Sequence, residues 1–158
     1  MPYRTLARAH RRYAAVTQLS RTFAARLSAF SEVEALLQEF ALDAGLCHED
    51  SMRLLLIVEE LFTNTVRHGH GGDCDAPVDL TLGAAAAHLE LAYEDTAPQY
   101  DPLEAARQAD VSSPLEQRPV GGLGMLLTVA MSSAARYVYV NGRNRVELTL
   151  MRSETRGL

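Results

Sequence analysis

The chain has 158 residues, with 15 basic against 20 acidic side chains and a formal net charge of -5. That length suits one domain with its own core, and the acidic balance excludes general affinity for nucleic acid, which needs positive excess to neutralise phosphates. All fifteen basic residues are arginines, so a P-loop, a Schiff-base lysine and a lysine general base are excluded too.

Cys47 and Cys74 are too few for a disulfide framework and point to a reducing compartment, the cytoplasm. No apolar run reaches the roughly 20 residues needed to span a bilayer, so no membrane partner is expected. The opening MPYRTLARAHRRYAAVTQLSR is arginine-rich and free of acids. It reads as a helical or loose arm over residues 1–20, with a transit peptide as the other reading.

After the arm, RTFAARL alternates weakly, as a strand would. SEVEALLQEFALDAG has helical spacing at Val33, Leu36, Leu37, Phe40 and Leu42. Ser31 with Glu34 forms a capping-box pattern, and Gly45 is a plausible stop. HEDSMRLLLIVEELFTNTVRHG reads as a second, longer helix. VDLTLG and HLELAYE alternate with period two and read as a hairpin. DTAPQYDP has the proline and aspartate content of a loop. Residues 103–120 are polar, with two prolines, and read as a loop holding a short helix. GGLGMLLTVAM is a glycine turn feeding a third helix, and YVYVNGRNRVELTL is a closing hairpin. The domain then spans 21–152, with a tail over 153–158. This order predicts an α/β (α+β) two-layer sandwich, a mixed but mainly antiparallel sheet with helices on one face.

Three segments carry candidate chemistry. On the long helix, Leu54, Val58, Leu61 and Thr65 share the core side, with Leu55 and Phe62 beside them. Glu60 and Asn64, four apart, share the opposite side, with Arg53 and Arg67 near them. A solvated polar face is the commoner arrangement. Yet asparagine is a poor interior helix residue, an amide oxygen suits Mg²⁺, and a carboxylate one turn away can deprotonate a hydroxyl. Asp95 follows a strand and precedes a turn, where it can accept a hydrogen bond from an exocyclic amine or simply form an Asx turn. Gly121, Gly122 and Gly124 precede an apolar helix whose amides could cradle an anion, and Arg118 could reach a terminal phosphate. A glycine turn is more often a connection, and G-G-x-G is not a dinucleotide fingerprint.

Taken in order, E-L-F-T-N-x-x-x-H-G, D-T-A-P-Q-Y-D-P, R-P-V-G-G-L-G-M-L-L and Y-V-Y-V-N-G-R-N-R-V-E-L-T-L resemble the anti-sigma factor serine/threonine kinases, a branch of the Bergerat-fold ATPases. The resemblance covers roughly residues 21–151. It implies ATP and Mg²⁺ as cofactors, Glu60 as general base, Asn64 as the Mg²⁺ ligand and Asp95 as the adenine reader. It implies Gly121, Gly122, Leu123 and Gly124 as the turn lining the phosphates, Arg118 near the γ-phosphate, His68 and Gly69 as the end of the Asn64 motif, and residues 103–120 as an ATP lid. The implied substrate is an anti-anti-sigma (STAS-domain) protein; a sigma factor is a second expected partner, and a homodimer is left open.

Three departures stand out. Ala97 occupies the position of a family glycine, where its methyl is expected to crowd the adenine pocket. Met131 is followed by Ser132 and Ser133 in place of a common Met-Asp pair. The arm of about twenty residues has no family counterpart. Three other readings remain open from the residues. One is a non-catalytic ATP-responsive binding module. Another is a zinc site among His68, His70, Asp73, Cys74 and Asp75, with Cys47 and His48 elsewhere in the chain, at a spacing that matches no standard zinc pattern. The last is a histidine-kinase catalytic domain, although no phosphoacceptor-histidine hairpin is read ahead of it.

Overall fold

The computed structural model describes residues 17–108 and 122–153. The arm before Thr17, residues 109–120 of the expected lid with Arg118, then Gly121, and the tail after Ser153 lie outside the described residues. In chain order the elements are β1 (Thr17–Ala24), a 3-10 turn (Leu27–Ala29), α1 (Phe30–Asp43), α2 (His48–Asn64) and a π turn (Thr65–Gly69). Then come β2 (Pro77–Ala84), β3 (His88–Asp95), α3 (Pro102–Gln108), α4 (Gly122–Ala130), β4 (Ala134–Val140) and β5 (Arg143–Met151).

The five strands form one sheet in the order β1-β2-β3-β5-β4. Every neighbouring pair is antiparallel, so the sheet lacks the expected mixed component among the described residues. Two helices, α1 and α2, lie in the connection between β1 and its antiparallel neighbour β2. The closing hairpin slots β5 between β3 and β4, around a two-residue turn in which Asn141 and Gly142 both have positive φ, 53° and 73°. That is the geometry an Asn-Gly turn is chosen for.

Alternation sorts the two faces of the sheet. Val78, Leu80 and Leu82 of β2, Leu89 and Leu91 of β3, and Val146, Leu148 and Leu150 of β5 are buried. They meet the apolar stripes of α1 and α2, including Val33, Leu36, Phe40, Leu54, Ile57 and Phe62. The other face carries charges in rows: Arg143 bridges Asp79 and Glu94, and Arg145 bridges Glu94 and Glu147. Half-exposed pairs of this kind contribute little net stability each; they keep the open face of the sheet wet and ordered.

Three local expectations give way to packing. β1 lies at Thr17–Ala24 rather than 21–27, because only Leu19 and Phe23 of this edge strand turn inward. The Ser31–Glu34 capping box does not form: α1 begins at Phe30, its N-cap is Ala29, and Ser31 Oγ donates to Ser28 O at 3.4 Å from inside the first turn. Phe30 is drawn into the helix by its ring contact with Phe62, centroids 5.7 Å apart. Leu42 falls off the buried stripe and is 82% exposed, while Ala44 packs inward in its stead. Gly45, with φ of +61°, ends α1 as expected. Among the described residues no helix is long and apolar enough to cross a membrane.

The end of β5 is locked to the helix layer. The Arg152 guanidinium donates to the carbonyls of Ala44, Gly45 and Ala85, satisfying the open end of α1. Asp50, buried in the first turn of α2, accepts from the Ser153 N–H at 3.1 Å and from Arg53 Nη2 at 2.6 Å. Arg53 also donates to the Met151 carbonyl at 2.5 Å, so this arginine belongs to the latch rather than to Glu60. Burial alone would raise the Asp50 carboxyl, but the Ser153 N–H and the Arg53 guanidinium outweigh it and hold the group below the usual carboxylate range. Its stabilising contribution is therefore complete above the usual carboxylate range and is lost as pH falls through that range toward the depressed folded value. Asp50→Asn is expected to cost about 3 kcal/mol at neutral pH, since it leaves Arg53 without its buried partner. The variant should also show a shallower loss of stability below about pH 4 than the parent, read from urea unfolding across pH.

Candidate functional site

The polar side of α2 is partly covered. Glu60 and Asn64 are both half-buried, and Asn64 Nδ2 donates to Glu60 Oε1 at 3.1 Å. What faces them is α4. A Cβ added at Gly124 would fall inside the Glu60 carboxylate, so the absent side chain is what lets the glycine turn and the acid approach. Two of the three expected segments thus meet directly. Gly122 opens α4, Leu123 is exposed beside it, and Arg67 is exposed.

The third segment joins through the residue after Asn64. There α2 passes into the π turn, in which the His70 N–H reaches the Thr65 carbonyl at 2.9 Å; such turns add a residue to one helical turn and recur at functional sites. His68 and Gly69 both lie in it. Thr65 is buried, and its hydroxyl donates to Asp95 Oδ2 at 2.7 Å while accepting from the Tyr93 hydroxyl at 2.8 Å. Burial pushes the Tyr93 phenol far above its ordinary value, so it remains a proton donor.

Asp95 is only 8% exposed. Its Oδ1 accepts from the Ala97 N–H at 3.0 Å, an Asx turn, and from Asn144 Nδ2 at 2.8 Å. The Asx turn and a reading role are compatible, because a carboxylate offers about four acceptor positions and these donors with Thr65 fill three. Beyond it, Asp101 accepts from the Leu103 and Glu104 N–H groups and caps α3, with Pro102 at the first helical position.

Ala97 is buried, and its methyl points at Gly69: a Cβ added at Gly69 would lie 2.8 Å from Ala97 Cβ. The methyl that the sequence places in doubtful position is thus packed between loop and π turn. Asp73 accepts from the Leu27 N–H at 2.8 Å and Asp75 pairs with Arg26 at 2.8 Å, so the histidine-rich loop spends its acids on fastening itself to the start of the helix layer. Among the described residues no group of three or more His, Cys, Asp or Glu side chains could hold a metal ion, which removes the zinc reading for that loop.

Sequence reading missed Thr65 as anything but core, and missed Tyr93 and Asn144 altogether. The signal for Asn144 was present: it shares strand parity with Val146, Leu148 and Leu150, so a polar group there must face the core. Register sets it directly opposite Asp95. The contact between Gly69 and Ala97 yields a direct test. Gly69→Ala should destabilise the fold by about 1–3 kcal/mol through overpacking, and Ala97→Gly in the same chain should restore most of that loss, as a thermal-unfolding double-mutant cycle would show.

Comparison with known proteins follows the same outline. A model of the histidine kinase-like ATPase domain matches residues 23–150. The serine-protein kinase RsbW of Listeria monocytogenes serovar 1/2a is 28% identical over 103 residues, 63% of this chain and 65% of the relative. Its counterpart in Listeria innocua serovar 6a is 27% identical over the same length. The match thus spans 65% of the length of these curated relatives. Among solved structures, the RsbU and RsbW domains of Rv1364c from Mycobacterium tuberculosis superpose with a TM-score of 0.59 at 20% identity, covering 86% of this chain and 32% of that one. The SiaB–SiaC complex from Pseudomonas aeruginosa gives 0.59 at 17% identity, over 84% and 89% of the respective chains. These two share the fold. With the family model covering both long helices, strands β2 to β4, nearly all of β5, and the segments that carry Glu60, Asn64, Asp95 and Gly124, the chain belongs to the histidine kinase-like ATPase domain family.

Proposed function

We propose that the chain is a cytoplasmic ATP-dependent serine/threonine protein kinase that phosphorylates an anti-anti-sigma (STAS-domain) protein, with a sigma factor as its second partner. One observation carries this reading: the Glu60–Asn64 pair lies against the glycine turn of α4. The next residue, Thr65, touches the buried Asp95. An acid, an amide, a glycine-lined helix start and a nearly saturated carboxylate make a set of donors and acceptors suited to a nucleotide. The RsbW relatives, which are serine-protein kinases, support the same direction.

The residues present fit ATP and Mg²⁺. Gly124 leaves room for the Glu60 carboxylate beside the start of α4, Asn64 carries a hard oxygen donor, and Asp95 keeps one acceptor position among the described residues. When bound, ATP·Mg²⁺ supplies the phosphoryl group and the charge that neutralises it. Asn64 Oδ1 would ligate the ion, and Gly121, Gly122, Leu123 and Gly124 would offer backbone N–H groups to the phosphates at the start of α4. Arg118 would pair with the terminal phosphate, and Asp95 would accept from the adenine amine. Glu60 would take the proton of the attacking serine or threonine hydroxyl. Among the described residues its carboxylate accepts one hydrogen bond, from Asn64, which leaves an acceptor oxygen for that proton.

The competing reading, an ATP-responsive module that grips a partner without phosphate transfer, uses the same pocket. Glu60→Gln separates the two. It should keep ATP affinity within about threefold and lower phosphotransfer to the STAS partner at least about 100-fold, the scale of a lost general base. The readout is label from ATP·Mg²⁺ on serine or threonine of the partner. Unchanged partner regulation in the variant would favour the module, and no nucleotide binding by the parent chain would remove both.

A further inference from the structure

Asn144 makes more hydrogen bonds than any role in the sheet requires. It is 6% exposed on the inner face of β5. The two hydrogens of its Nδ2 are shared among three acceptors, Asp95 Oδ1 at 2.8 Å, the Ala97 carbonyl at 3.0 Å and the Pro98 carbonyl at 3.2 Å. Its Oδ1 accepts from the Tyr100 N–H at 3.1 Å and from the Tyr137 hydroxyl at 2.7 Å. The orientation of the amide follows from this network. The Tyr100 N–H can only donate, so it demands the oxygen; the Ala97 and Pro98 carbonyls can only accept, so they demand the nitrogen. One side chain thereby fastens the end of β3, the loop from Ala97 to Tyr100, and β4 through Tyr137.

The consequence falls on Asp95. With Thr65 on one oxygen and Ala97 N–H and Asn144 on the other, its carboxylate cannot rotate without breaking a buried hydrogen bond. The remaining acceptor position is held in one direction. We propose that Asn144 is the positioning residue that makes the pocket selective for a 6-aminopurine nucleotide, by locking Asp95 as a fixed, purely accepting group. A 6-amino group can donate to that oxygen, whereas a 6-oxo group meets it acceptor to acceptor. An unlocked carboxylate could turn away from the oxo group, and selectivity would fall. A site whose buried polar groups demand a partner rejects the wrong ligand strongly; the strength depends on the group staying put. The inference rests on the nucleotide-binding reading above and adds to it the residue that enforces the choice of base.

The test is titration calorimetry of the full chain with ATP and with GTP, each with Mg²⁺. The parent is expected to favour ATP by at least about 100-fold. Asn144→Ala should narrow that ratio about tenfold, mainly through weaker ATP binding, with the circular dichroism spectrum retained. Tyr137→Phe leaves the amide in place but removes one of the two donors that orient it, and should narrow the ratio about threefold. It carries the test if Asn144→Ala does not fold. Ratios equal to the parent's in both variants, whatever happens to melting temperature, would make Asn144 a structural strut and overturn the inference. A parent that binds ATP and GTP equally would overturn it too, while leaving the nucleotide site standing. A parent that binds neither would instead bring down the nucleotide reading itself.

Discussion

Burying a carboxylate is costly unless donors surround it, and the site is organised around meeting that demand at Asp95. Its donors come from the π turn that ends α2, from the loop that follows β3, and from β5. These segments are far apart in the chain, and each must arrive within hydrogen-bond distance for the group to be tolerated. The same condition sets the path of the helix. Thr65 must reach Asp95, which fixes where Asn64 sits and, one turn earlier, where Glu60 meets α4.

The two ends of the site are held by different physics. Around Asp95 the network is closed: Tyr93 donates to Thr65, Thr65 to Asp95, Asn144 to Asp95, and Tyr137 orients Asn144. A closed, buried network rigidifies its surroundings and is costly to break. Around Glu60 the constraint is room. The acid lies where Gly124 has no side chain and, among the described residues, is hydrogen-bonded to Asn64 alone, outside the buried core. A rigid end suited to reading a base and a less tightly bonded end suited to handling a proton are what a phosphotransfer site needs.

The helix periodicity, the β2–β3 and β4–β5 hairpins and the Glu60–Asn64 pair were legible because each is a short-range pattern: spacing of three and four on a helix, two on a strand, Asn-Gly at a turn. Failures came where distant contacts overrode local signals. Ser31 has capping chemistry, yet the Phe30–Phe62 contact pulls the helix start earlier. β1 is an edge strand with few inward residues, so its alternation is too faint to set its limits. The site was half legible. Asp95 could be singled out by its place after a strand, but its partners Thr65 and Asn144 lie 30 and 49 residues away, a distance no local pattern spans. The packing of Ala97 against Gly69 was not legible either, because only the folded chain brings these two residues near.

The central claim is that three separated segments enclose one nucleotide. Hydrogen–deuterium exchange of the full chain with and without ATP·Mg²⁺ tests it most directly. Protection is predicted to rise together in peptides covering Glu60–Gly69, Asp95–Tyr100 and Gly122–Thr128, with the outer face of the sheet unchanged. Protection confined to one of these segments, or to the outer face, would contradict it.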